Sequence, residues 1–312
     1  MRKWIKRCLS TLTIIFVLMN VVAAFHAYKF THFADSRSEK TKDAKKLTGV
    51  QKIKTLVFGI SNPRPENTIF PDSEYQVVKL KSNREIECWS MKVQQPKGTV
   101  ILFHGYSGDK SSMLDKSVVL RNLHYNTLLV DFMGSGGSEG NQTTLGYMEA
   151  EEVKSCFDYL TEQGEKNIFL FGTSMGSVAI MKCMNDFRIN PKGIILECPF
   201  GSLYQTVCAR FKTMGAPTFP MAGLLVFWGG IQNGFWAPDH NPVDYAKNIS
   251  CPTLLLYGAK DEKVSRKEID GIYNNLPAQK YLRIYPDAAH ENYLIKYKSE
   301  WTMDLEQFLA KK

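Results

Sequence analysis

The sequence predicts an α/β protein built on one mostly parallel, eight-stranded sheet with helices on both faces. Three observations predict it. Short apolar runs such as residues 99–103 are continuous rather than alternating, as expected of strands buried on both faces. Helical stretches separate these runs, which makes parallel pairing the natural arrangement. Two alternating runs precede them and read as an antiparallel hairpin.

In chain order, the first element is a membrane segment. Arg2, Lys3, Lys6 and Arg7 form a basic start, and residues 8–28 then carry no formal charge. About 20 apolar residues span a bilayer as a helix, and the basic flank predicts a cytoplasmic N-terminus with the body outside the cytoplasm. Residues 1–28 are thus read as an uncleaved anchor. A cleavable signal peptide ending near Val22-Ala23-Ala24, which would leave a secreted body, and a hydrophobic helix packed on the body are its competitors. Residues 29–69, with Lys40, Lys42, Asp43, Lys45 and Lys46, read as a basic tether or solvated helix leading into the body.

The body is expected over residues 70–312. Residues 75–80 and 86–91 form the hairpin around Ser82 and Asn83. Buried strands follow at 99–103, 127–131, 167–171, 193–197, 253–257 and 281–285. Helical stretches fall at 145–163, where Val153, Phe157 and Leu160 share one face, and at 175–187, 263–276 and 301–309. Residues 200–250 show no strand and are too long for a plain loop, so they read as a small helical cap.

Charge and cysteine usage exclude other classes. The net charge is +8, yet residues 1–54 hold 12 Lys/Arg against 3 Asp/Glu, leaving 27 against 28 in the rest. The basic excess therefore suits an anionic membrane surface, and the body lacks the footprint of a nucleic-acid binder. The seven cysteines include no Cys-x-x-Cys pair, and no His/Asp/Glu cluster has ligand spacing, so no metal is expected. The glycine-rich stretch from Gly134 to Gly140 lacks a nucleotide-binding context, and no cofactor is expected.

The chemistry centres on Ser174. Gly172, Ser174 and Gly176 form a Gly-x-Ser-x-Gly motif between a buried strand and a helix, the context in which a sharp turn exposes a nucleophilic serine. With this motif the chain resembles the α/β-hydrolase superfamily over nearly all of residues 70–312. The resemblance implies the order nucleophile, acid, histidine, with the acid after a late strand and the histidine after the last. Asp261, in a Gly-x-x-Asp-x-x-Val turn, and His290 stand at those places. His290 would deprotonate Ser174, and Asp261 would fix the imidazole tautomer. Glu197 is a rival acid at the end of an earlier strand, whereas Glu262 points away if Asp261 points in. Resemblance further implies an oxyanion hole made by the backbone N–H groups of Met175 and Tyr106. It makes His104 a loop-orienting residue and likens residues 131–138 to the family's Asp-x-x-Gly-x-Gly-x-Ser turn. His26 and His32 carry no assigned role, and His124 and His240 are placed in surface turns.

Within the superfamily, the resemblance is nearest to the group labelled lysophospholipase-like or serine-aminopeptidase-like. A carboxylic ester with an apolar or small acyl group is the first expectation. A thioester, a peptide or amide, and acyl transfer use the same triad and stay open, as does a catalytically silent ligand-binding protein. Phe211, Phe219, Phe227, Trp228, Phe235 and Trp236 make the cap aromatic, either as its own core or as an acyl pocket or membrane-facing lid. The expected partners are a small ester or lipid-like substrate and the membrane, with the chain acting as a monomer.

Overall fold

The computed structural model describes residues 2–42 and 46–310; Asp43 and Lys45 of the expected tether lie outside the described residues. In chain order the helices are α1 (Arg2–Thr31), α2 (Gly49–Phe58), α3 (Leu114–Asn122), α4 (Glu149–Glu162), α5 (Met175–Phe187), α6 (Leu203–Met214), α7 (Met221–Gln232), α8 (Pro242–Tyr245), α9 (Arg266–Asn275), α10 (Tyr293–Lys296) and α11 (Lys298–Ala310). The strands are β1 (Gln76–Lys81), β2 (Glu85–Met91), β3 (Thr99–Phe103), β4 (Asn126–Val130), β5 (Ile168–Thr173), β6 (Gly193–Glu197), β7 (Thr253–Gly258) and β8 (Lys280–Tyr285). The chain divides into two units: Arg64–Ser202 with Asn241–Lys312, and Met1–Pro63 with Leu203–His240.

The first unit holds the sheet, in the order β1-β2-β4-β3-β5-β6-β7-β8. β1 pairs antiparallel with β2, and β2 with β4, while every other pairing is parallel. The antiparallel edge is the expected hairpin. β3 and β6 are buried at every residue, which is why their sequences do not alternate. Val100, Leu102, Phe171, Ile195 and Leu256 join one cluster with Val119 of α3 and Trp301 of α11. Ile101, Leu170, Leu196 and Leu255 alternate with them and are equally buried on the other face, where α5 packs on the sheet and α4 on α5.

α3 was not among the expected helices. Its buried side includes Lys116 and Ser117, so its apolar stripe is broken by polar residues and weak as a signal. The parallel register aligns Phe103 with Gly172, Thr173 with Glu197, and Gly258 with Tyr285. The carboxyl ends of these strands thus share one edge, the usual place for a ligand crevice in such sheets.

The second unit is helical. α1 contains a 29-residue stretch, Lys3–Thr31, whose most apolar 18-residue window has a mean hydropathy of 2.3, long and apolar enough to cross a membrane. α2, inside the expected tether, is a solvated helix: it has a Thr48–Gln51 capping box and no buried residue. α6 and α7 come from the segment read as a cap, which has no strand. α7 packs on α1, where Ala23 and Ala27 are buried. His240 corrects the reading from sequence: it closes a short 3-10 turn but is fully buried, edge-on to Phe235 at 6.3 Å.

Candidate active site

Ser174 caps the N-terminus of α5 with φ 52° and ψ −110°, a conformation that side chains other than glycine rarely adopt. The elbow is possible because both flanking motif positions lack a side chain. A Cβ on Gly172 would lie 2.4 Å from the Gly176 carbonyl carbon, and one on Gly176 would lie 2.4 Å from the Phe103 oxygen. Hydrogen bonds then hold the turn. The Ser174 N–H donates to the Glu197 carbonyl at 2.7 Å, and Ser177 Oγ donates to the carbonyls of Gly172 at 2.5 Å and Glu197 at 3.0 Å.

Asp261 sits in the turn after β7, its side chain buried. Oδ1 accepts the N–H groups of Lys263 at 2.8 Å and Val264 at 2.9 Å, which leaves Oδ2 facing His290 Nδ1 at 2.7 Å. His290 Nε2 lies 3.1 Å from Ser174 Oγ. The structure thus brings Ser174, His290 and Asp261 from three strand ends into one hydrogen-bonded line. Asp261 N–H-anchored on one oxygen is a fixed orienter for the imidazole.

Glu197, the rival acid, takes a different part. Its carboxylate accepts Thr173 Oγ1 at 2.9 Å and Trp301 Nε1 at 3.2 Å, and pairs with Lys116 Nζ at 3.4 Å. Lys116 also donates to Asn292 Oδ1, which lies in the histidine loop, at 2.9 Å. This buried polar cluster props the site from behind.

His104 is fully buried, and burial pulls its imidazole below the ordinary value, partly countered by Asp131. Nε2 accepts the Phe132 N–H at 3.1 Å, so the proton belongs on Nδ1, which donates to the Gly105 carbonyl at 2.8 Å. His104 therefore fixes the turn carrying Tyr106. Gly105 in that turn lies against Ser174, whose Cβ would be 3.6 Å from a Cβ built there. Met175 opens α5, where the first-turn N–H groups have no partner within the helix.

The residues around Asp131 form a structural lock. Asp131 accepts the N–H groups of Lys110 at 2.7 Å and Gly137 at 2.8 Å and pairs with Lys110 Nζ, which also meets Glu87 at 2.9 Å.

Sequence reasoning missed Cys198. It follows β6 at φ 44°, is buried, and lies beside His290. One ligand atom each of Cys198, Asp261 and His290 lies within 4.8 Å of the others, so among the described residues these three could hold a soft divalent ion. Positions 198, 261 and 290 are too far apart in sequence to show ligand spacing. Burial lowers the His290 imidazole, but Cys198 and Asp261 more than offset it and hold the group up at about 10.

Comparison with known proteins agrees with the fold. A family model described as "Serine aminopeptidase, S33" matches residues 94–226. The uncharacterized protein YqkD of Bacillus subtilis is 20% identical over 229 residues, covering 72% of this chain and 75% of that one. The lysophosphatidylserine lipase ABHD12 of Danio rerio is 25% identical over 56% of this chain, but only 47% of its own length is matched. Among solved structures, the Pyrococcus furiosus esterase Pf2001 aligns with a TM-score of 0.64 and 20% identity, over 79% of this chain and 97% of that one.

Proposed function

The chain has the α/β-hydrolase fold, and from that premise we propose that it is a serine hydrolase that cleaves a carboxylic ester through an acyl-enzyme. The observation that carries this reading is the line Asp261–His290–Ser174, at 2.7 and 3.1 Å, ending on a serine at φ 52°.

In this mechanism His290 Nε2 takes the Ser174 hydroxyl proton as Oγ attacks the ester carbonyl. Asp261 keeps Nδ1 protonated and stabilises the imidazolium. The N–H groups of Met175 and Tyr106 receive the developing oxyanion, each worth ~3 kcal/mol in the transition state. His290 then returns its proton to the departing alcohol. Water repeats the sequence on the acyl-enzyme, releasing the acid and regenerating Ser174. The ester is chosen over the thioester and amide because Pf2001 is an esterase and the matched region of the Danio rerio protein belongs to a lipase.

α1 is the membrane anchor in this reading, with Lys3, Lys6 and Arg7 on the cytoplasmic side and the sheet-bearing unit outside the cytoplasm. The test is labelling of the full chain in detergent with a fluorescent fluorophosphonate, beside hydrolysis of p-nitrophenyl esters of increasing acyl length. Labelling and turnover in the wild type, with loss of labelling and a rate drop of roughly four to six orders of magnitude in Ser174→Ala, support the proposal. A well-folded wild type that neither labels nor hydrolyses overturns it. Turnover of thioesters or amides alone redirects the substrate class.

A further inference from the structure

α1 leaves almost all of its apolar surface uncovered: only 6% of its most apolar window is buried. The covered part is a seam toward one end, where Ala23 and Ala27 are buried against α7, whose own Ala222 is fully buried. Small residues at such a seam let two helices approach closely without a hydrophobic drive, as helices in lipid do. Two hydrogen bonds cross it. Trp228 Nε1 donates to Asn20 Oδ1 at 3.0 Å, and Gln232 Nε2 donates to the Ala24 carbonyl at 2.9 Å. Asn20 also donates from Nδ2 to the Phe16 carbonyl at 2.9 Å, so a polar residue inside the apolar stretch has partners on both amide atoms.

The position of the seam fixes its depth. A bilayer core about 30 Å thick takes about 20 helical residues at 1.5 Å each. Counted from Cys8, the first residue after the basic flank, Asn20 lies about 18 Å in and Ala27 about 28 Å in, which brackets the outer leaflet. α7 has no charged residue and, at 12 residues, is too short to span. Its neighbourhood nonetheless exposes Phe219 (84%), Ile231 (52%) and Trp236 (53%), large groups that water would penalise. Indoles favour the membrane–water boundary, and the Arg210 guanidinium stands 4.2 Å over the Phe30 ring, just past the apolar end of α1, where headgroups would begin.

On the reading of α1 as an anchor, we infer that α7 with Phe219 and Trp236 is a second membrane element, lying in the outer leaflet of a phospholipid bilayer beside α1. The occupant of its uncovered face is lipid.

The experiment uses the full chain in vesicles of phosphatidylcholine and phosphatidylglycerol, with part of the phosphatidylcholine brominated in its acyl chains. Trp4 is replaced (Trp4→Phe) to silence the far end of α1, and Trp89 and Trp301 are buried in the sheet unit. The quenching by brominated lipid is expected to fall by about half on adding Trp236→Phe, since Trp228 and Trp236 are then the two boundary reporters. Adding Ile231→Trp to that variant is expected to restore it. Flotation of the same vesicles reads the anchor separately. Protein that floats but whose Trp236 signal is quenched by acrylamide and not by brominated lipid overturns this inference alone. Protein that floats with Trp236 shielded from both quenchers also overturns it, in favour of a second protein copy on that face. Protein that does not float overturns the anchor and this inference together.

Discussion

Ser174 is held in a costly backbone conformation by neighbours that leave no room for anything else. Strain of this kind costs of order 1–3 kcal/mol and persists only where the surroundings enforce it. Gly176→Ala would drive a Cβ into the Phe103 carbonyl. The expected outcome is loss of fluorophosphonate labelling together with a fall in stability of at least ~1–3 kcal/mol, read by urea unfolding. Cys198 makes a second prediction at this scale. Because His290 is held up at about 10, its base form is scarce at neutral pH in the free enzyme. The acid limb of kcat/KM should therefore lie on the alkaline side of neutral, with activity rising as pH rises. Cys198→Ala removes one of the groups holding the proton on, so the limb should move to lower pH. An unmoved limb would show that Asp261 alone sets it. The meeting of Ser174, Asp261 and His290 in one hydrogen-bonded line was legible in the sequence because each sits in a turn of its own kind and in a fixed chain order; their catalytic role is the proposal above. Cys198 was hidden because a buried thiol beside Glu197 and Pro199 looks like any small core residue; only the convergence of three strand ends gives it a neighbour.

Among the elements, the strands were legible and α3 was not. Central strands buried on both faces show as unbroken apolar runs and the edge hairpin as alternation, and all eight were found, with ends displaced by a residue or two, as at β5 and β8. α3 instead turns Lys116 inward to Glu197 and Asn292, at a site where polarity serves the loop of His290. Lys116 is 2% exposed and its partner Glu197 is wholly buried, so removing the amine strands a carboxylate in the core. Lys116→Met is expected to cost about 3–5 kcal/mol by chemical denaturation. The same variant should lower turnover more than a mutation of equal instability elsewhere, since Asn292 also bonds Asp115 at 2.6 Å and fixes the chain two residues after His290. Equal loss of turnover in both would mean that the cluster acts through stability alone.

At the scale of the whole molecule, charge and apolar length are segregated toward the start of the chain. In the proposed reading, anchoring through α1 depends on burial in lipid, with the basic flank as a secondary attraction that salt screens. The full chain should therefore stay with membranes in 1 M salt and leave them in detergent; release by salt alone would mark a peripheral protein. Composition could place the long apolar helix α1 and the solvated α2, but not the partnership of α1 with α7. Ala23 and Ala27 mark a small-residue face on α1, but their contact partner lies 208 residues away, beyond the reach of any local pattern.

That separation has a consequence for biosynthesis. At ~5–20 residues per second, roughly 10–40 s pass between synthesis of Asn20 and synthesis of Trp228. Throughout that interval the seam of Ala23 and Ala27 has no partner, and the Asn20 amide must find other company. A nascent chain halted before residue 203 would carry α1 in this bare state, since α6 and α7 begin only after that point. Completion of α7 closes that window while β7, β8 and the turns of Asp261 and His290 are still to be made, so the helical unit can close on itself before the sheet is complete.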